Sequence, residues 1–242
     1  MAVKDCFWHK ESAVDAAWAT HEDNWWNNVL HRDGTDELGG VPTTGDSLYF
    51  LGTTAPADDG AAVSYALIDT SQLAADVTFT ADVTLTGTLV LGVPGGSEVH
   101  TWGGDGGNVN NALIQGASVI TTTIGKEAIF RDTASVTELS AIEKNSRFYD
   151  AAGSTGGTFV AGNVFCYGNH TFTETSGNLV LTGVTIYVYG SLILNDTATN
   201  NITGTPTVYI MNRNASLQLA GAATANVVPY RLANAHRLRN IA

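Results

Sequence analysis

The residues from 177 to 196, Gly-Asn-Leu-Val-Leu-Thr-Gly-Val-Thr-Ile-Tyr-Val-Tyr-Gly-Ser-Leu-Ile-Leu-Asn-Asp, constrain the fold more than any other stretch of the chain. Three apolar runs, 179–181, 184–188 and 192–194, are cut apart by Gly183 and Gly190, and the block stops at Asn195-Asp196. Each run is too short for a stable helix and about right for a strand. β-branched and aromatic side chains suit a pleated, half-buried surface, and glycine permits a sharp corner between runs. Short strands joined by corners this tight predict the coils of a β-solenoid.

The pattern recurs along the chain. From 76 to 93, Val77, Phe79, Ala81, Val83, Leu85, Gly87, Leu89, Leu91 and Val93 alternate with mostly threonine, the signature of strands with one face buried. The run exceeds the usual strand of about 5–6 residues, so it must bend. Its repeats, Asp-Val-Thr-Phe-Thr-Ala, Asp-Val-Thr-Leu-Thr-Gly and Thr-Leu-Val-Leu-Gly-Val, place a bend at each repeat boundary. These hexads hint at a left-handed helix, but the period does not continue, which favours a less regular solenoid. Further apolar clusters at 113–114, 119–120, 128–130, 159–160, 164–167, 208–210 and 217–219 read as more coils. Residues 136–144 fit either a short helix or a strand. The glycine-rich stretch 94–111 lacks the Lys or distant acid of a phosphate cradle and reads as a surface loop, with Trp102 at its tip as a contact residue. A single coil buries too little to offset the entropy of ordering it, so such coils must form as a stack.

The two ends differ from the middle. Trp8, Trp18, Trp25 and Trp26 lie among many charges within residues 1–31, and 11–20 fits a short helix with Ser12 as its N-cap. An open solenoid end exposes core and unpaired strand edges, so these tryptophans predict a cap or a docking surface. The expected division is an N-terminal cap over 1–40, a solenoid over 41–221 and a basic tail over 222–242. That tail carries Arg231, His236, Arg237 and Arg239 on an otherwise acidic chain. The expected partner-binding residues are Trp8, Trp18, Trp25, Trp26, Arg231, Arg237 and Arg239.

Composition narrows the function classes. With Lys+Arg 11 against Asp+Glu 23 the formal net charge is −12. Nucleic acids and anionic membranes both require a positive field, so neither is an expected partner. No apolar run approaches the roughly 18 residues of a membrane span. No apolar h-region opens the chain, so the expectation is synthesis and folding in a cytosol. Cys6 and Cys166 are expected to be free thiols.

Nucleophile-elbow, zincin, kinase and dinucleotide signatures are absent, and no cofactor or metal is implied. Asp132, Glu138, Glu143 and Asp150 are carboxylates that a glycosidase would have to pair across a groove. Lys126 and Arg131 with Asp132 form the nearest approach to a lyase set. His21, Glu22, Asp23, His31 and Asp33 form the one His/acid cluster, at spacing that suits polar surface better than a metal site. The sequons at Asn169, Asn195, Asn201 and Asn214 read as turns and side-chain ladders.

Gly39-Gly40-Val41-Pro42-Thr43-Thr44-Gly45-Asp46 is followed by a strand over 47–52 and preceded by the tryptophan-rich segment. This arrangement, over residues 18–52, resembles the lead-in of right-handed parallel β-helices in bacterial surface proteins and bacteriophage virion proteins. The resemblance implies an all-β, right-handed parallel β-helix (a β-solenoid) with a Trp-rich cap and a C-terminal tail. It further implies a tailspike-like structural protein of a virion, without enzymatic activity. Such a protein would act as a capsid decoration or cement protein, made in the host cytoplasm and placed on the capsid surface. It would be a homotrimer bound to the major capsid protein or other virion proteins. The alternative is a tailspike or receptor-binding protein that binds or cleaves carbohydrate. A bacterial surface adhesin is disfavoured by the expectation of a cytosolic product.

Overall fold

Successive coils of the chain lie side by side because the inward residues of each strand stand in register with those of the next. The computed structural model describes residues 4–8, 24–27, 38–57, 64–79, 84–103, 109–137, 141–160, 162–174, 178–196 and 202–230. Among them there is no α-helix, and the strands form sheets of twelve, eight and four. Apart from one antiparallel pair at the N-terminal end, all strand pairing is parallel. The architecture is a β-solenoid of about seven turns.

In the twelve-stranded sheet the register carries Leu48 onto Ile68, Leu89 and Ala112, and onward through Ala128, Ser146, Val164, Ile186 and Val208. All are buried. A second inward column, in the eight-stranded sheet, runs from Phe79 through Trp102, Ile120, Val136, Ser154 and Phe172 to Leu194. Ser154 fits this apolar column because its hydroxyl donates to the Gly156 carbonyl at 2.6 Å. Between these columns Phe148 touches Phe130 at 4.7 Å, Phe172 at 4.9 Å and Phe159 at 6.2 Å, and joins all three sheets.

One full coil shows how the sequence makes the shape. Leu179–Val180 lies in the four-stranded sheet, Thr185–Val188 in the twelve-stranded sheet and Ser191–Asp196 in the eight-stranded sheet. The corners fall at Gly183 and Gly190, for different reasons. Gly183 has φ 74°, a left-handed conformation that glycine adopts without strain, with open space around it. Gly190 lies against the backbone of Gly168 one coil below, where a Cβ would meet the Gly168 carbonyl.

Outside the core, short polar side chains tie coil to coil. Thr121, Thr137 and Thr155 each donate a hydroxyl to a carbonyl of the preceding coil, at 3.1, 3.2 and 3.2 Å. At one corner Asp132 and Asp150, at φ 57° and 55°, follow Gly116, at φ 63°. Aspartate is among the few residues that tolerate this conformation, and Asp132 uses its carboxylate to accept from Gly116 N at 2.8 Å and Gly95 N at 3.0 Å.

At the N-terminal end Asp5–Trp8 pairs parallel to Ser47–Gly52, and Trp25–Trp26 closes over it antiparallel. Trp8 and Trp25 meet Phe50 at 5.8 and 5.6 Å and plug the column. Asp46 fastens this end, accepting from Lys4 N at 3.1 Å and Thr43 N at 2.8 Å. The twelve-stranded sheet thus begins inside the segment read as a cap. It ends at Asn226–Val228, inside the segment read as a tail.

Two expectations change, and one open alternative resolves to strand. The stretch 76–93 does not bend at every hexad: Thr84–Leu91 crosses a repeat boundary as one strand, because its pairing with Ser64–Leu73 absorbs a register shift instead. Trp102 is not at a loop tip. In His100–Trp102 the alternation turns His100 and Trp102 inward, and Trp102 packs against Phe79 at 5.3 Å. Residues 136–144 supply strands, Ser135–Val136 and Ala141–Ile142. The helix expected over 11–20 lies outside the described residues.

Candidate assembly surface

In a parallel sheet the residue between two inward positions points outward, so register that stacks a core also stacks an outer row. On the twelve-stranded sheet this row links Val90, Leu113 and Ile129, then Arg147, then Phe165, Tyr187 and Tyr209, and ends on Val228. Toward the N-terminus it continues through Asp69 and Tyr49 to Phe7. A second row runs beside it at the end of the strands: Arg131, Tyr149, Tyr167 and Tyr189. The result is a largely apolar outer stripe, interrupted by Asp69, Arg131 and Arg147, along the axis of a rod whose other outer positions are largely short and polar.

The aromatic part of the stripe is two ladders. Phe165, Tyr187 and Tyr209 stack at 5.1 and 5.3 Å, and Tyr149, Tyr167 and Tyr189 at 4.9 and 4.8 Å, with interplanar angles of 13° to 18°. These separations match the strand spacing of roughly 4.8 Å. Each ring therefore turns its face toward the coils above and below and its edge toward solvent. Arginines begin both ladders, Arg147 lying 5.7 Å from the Phe165 ring and Arg131 5.4 Å from that of Tyr149. Arg147 also pairs with Glu127 at 3.2 Å. Desolvation against the ladder and the flanking tyrosines raise the Tyr167 hydroxyl pKa, so this phenol stays neutral near pH 7.

This surface was not among the expected site residues. Its signal lay in Phe165-x-Tyr167 and Tyr187-x-Tyr189, where an aromatic alternates with a buried aliphatic or thiol, but a single strand cannot say which neighbours it will stack upon. Of the residues that were expected, Trp8, Trp25 and Trp26 are at 0%, 0% and 5% exposure. Their indoles sit in the cap's interior, and a partner would reach them only by opening it. Trp18, Arg231, Arg237 and Arg239 lie outside the described residues, as do Glu138 and the cluster from His21 to Asp33.

Of the expected catalytic candidates, Lys126 and Glu143 are exposed on the surface, whereas Asp132 and Asp150 are engaged in holding coils together. Asp132 is bound to backbone amides, and Asp150 accepts from Asp132 N at 3.3 Å. Burial, with Asp46 nearby, pushes the Cys6 thiol up to about 12, and burial raises Cys166 as well; both are free and unreactive as thiolates. Among the described residues no group of three or more His, Cys, Asp or Glu is placed to hold a metal ion.

His100 and His170 are buried in the eight-stranded sheet and bonded at both ring nitrogens. His170 accepts from Gly168 N at Nε2, 2.8 Å, and so carries its proton on Nδ1, which donates to the Ala152 carbonyl at 2.7 Å. His100 lies 2.7 Å from the Thr70 hydroxyl at Nδ1 and 3.1 Å from the Leu73 carbonyl at Nε2. Burial lowers both pKa values from 6.5, against the opposing pull of the backbone carbonyls. The unfolded chain therefore takes up these protons first, and stability present above pH 6.5 is lost as pH falls through that value. Unfolding free energy measured by urea titration is expected to be lower at pH 5.5 than at pH 7.5, above the range where most carboxylates titrate. A profile flat over that interval contradicts the assignment.

No family model, no curated protein and no solved structure matches this chain.

Proposed function

We propose that this protein is a structural part of a bacteriophage particle, a capsid decoration or cement protein that acts by being held in an assembly. The observation that carries the reading is the largely apolar outer stripe, in register along a rod, on a chain whose buried histidines and corner aspartates brace its own coils. The resemblance over residues 18–52 supplies the particle. A rod of stacked coils resists bending and presents fixed surfaces at fixed spacing, which suits a part that spans lattice points of a shell. A protein that binds the assembled shell and not its loosened state stabilises the shell by mass action.

The carbohydrate-binding alternative receives less support from this surface. Sugar rings pack on exposed aromatic faces, whereas the ladder rings face one another.

The test uses heads of the candidate particle prepared without this chain and recombined with the purified protein. Co-sedimentation with the heads, and a higher temperature of shell rupture, are the expected results. Absence of binding, together with release of reducing ends from a host polysaccharide, would replace this reading with the tailspike one.

A further inference from the structure

We infer that the outer stripe of the twelve-stranded sheet is covered in solution by the same stripe of a second copy of this chain. The inference names a partner for the surface described above, and it stands or falls independently of whether a phage shell is the final destination.

Size is the first argument. From Phe7 to Val228 the stripe crosses ten strand steps of roughly 4.8 Å, so it is roughly 48 Å long, and the flanking outward positions of the same strands, Thr88, Asn111 and Glu127 in one half and Tyr149, Tyr167 and Tyr189 in the other, make the face roughly 15 Å wide. That is close to the roughly 800 Å² per partner that a standard specific interface buries. A globular partner would follow so long and straight a strip poorly. A second solenoid has the same length and the same repeat.

Chemistry is the second. The stripe is rich in tyrosine, phenylalanine and arginine, the residues that concentrate in interface cores. Six of the eight tyrosines in the chain belong to it: Tyr49, Tyr149, Tyr167, Tyr187, Tyr189 and Tyr209. Their ring edges and hydroxyls offer apolar contact and hydrogen bonds together. Its relief also suits self-contact, since the aliphatic half holds a shallow notch lined by Thr88, Asn111, Leu113, Glu127 and Ile129, while the other half presents the projecting ladders.

Charge is the third. Two copies each carrying a formal −12 repel over most of their surface. On the stripe Arg147 and Glu127 neutralise one another, and Arg131 lies over Tyr149. The stripe's own charges, Asp69 and Glu127 against Arg131 and Arg147, sum to zero, so it adds no net repulsion between two copies.

The experiment is sedimentation equilibrium of the full chain and of the double variant Ile129→Glu/Tyr187→Glu, which places carboxylates on both halves of the stripe without touching the core. The wild-type chain is expected to sediment as an oligomer and the variant as a monomer with unchanged far-UV circular dichroism. A monomeric wild-type chain overturns the inference, as does a variant that keeps the wild-type mass. Should the variant fail to fold, tyrosine nitration of the wild-type oligomer decides. Protection of Tyr167, Tyr187 and Tyr209 relative to Tyr230 supports the contact, and equal labelling of all four overturns it. Binding of a glycan by a wild-type monomer would likewise assign the stripe to carbohydrate and overturn it.

Discussion

Phe148→Ala is expected to lower the unfolding free energy by about 3–5 kcal/mol, the cost of removing a large buried aromatic and leaving its cavity. Phe148 has no exposed surface and stands where the three sheets converge, within 4.7 to 6.2 Å of Phe130, Phe172, Phe159 and His170. Its neighbours are strands held in register by backbone ladders on both sides, so they cannot collapse into the space. The effect should also spread along the rod, because Phe148 contacts the coils before and after its own. Equilibrium denaturation checks the magnitude, and a loss below about 1 kcal/mol would show that the column tolerates a gap at its centre.

Gly190→Ala should destabilise by about 3 kcal/mol, the upper end of the penalty for overpacking. The added methyl would meet backbone, the Gly168 carbonyl, and backbone cannot swing aside as a side chain can. Relief requires pushing two coils apart at the corner where Ser191 N donates to Gly168 O at 2.9 Å and Ser216 N to Gly190 O at 3.0 Å. Gly183 separates the two roles of glycine. Gly183→Asn, which keeps a residue tolerant of the left-handed conformation in open space, should cost less than about 1 kcal/mol. Comparable losses for both variants would mean that the Gly190 corner is looser than the geometry indicates.

The coil from 178 to 196 was legible because strand and corner are local properties. Leu179, Ile186, Val188, Leu192 and Leu194 fall at alternate positions of short apolar runs, and Gly183 and Gly190 mark the bends. All five of those aliphatics are buried. What depended on pairing was not legible. The hexads of 76–93 predicted bends from internal repetition, yet Thr84–Leu91 continues as one strand across a repeat boundary, where its pairing with Ser64–Leu73 takes up a register shift. Trp102 looked like a loop residue amid glycines, and it is core because Val77–Phe79 offers it a strand to stack upon. The outer stripe failed to announce itself for the same reason. Tyr187 is ordinary in its own strand and acquires meaning only when register sets Phe165 and Tyr209 on either side of it.

Parallel, in-register stacking is the premise of the inner columns, the ladders and the stripe alike, and nitroxide distances test it most directly. Three label pairs, Asn169 with Ser191, Thr171 with Ile193 and Thr173 with Asn195, sample three points along one strand pair at outward positions. Cys6 and Cys166 can remain, being buried. Parallel register predicts that all three pairs give the same short separation, reflecting backbones roughly 5 Å apart. A separation that changes steadily from the first pair to the third would show strands running in opposite directions, and would contradict the solenoid.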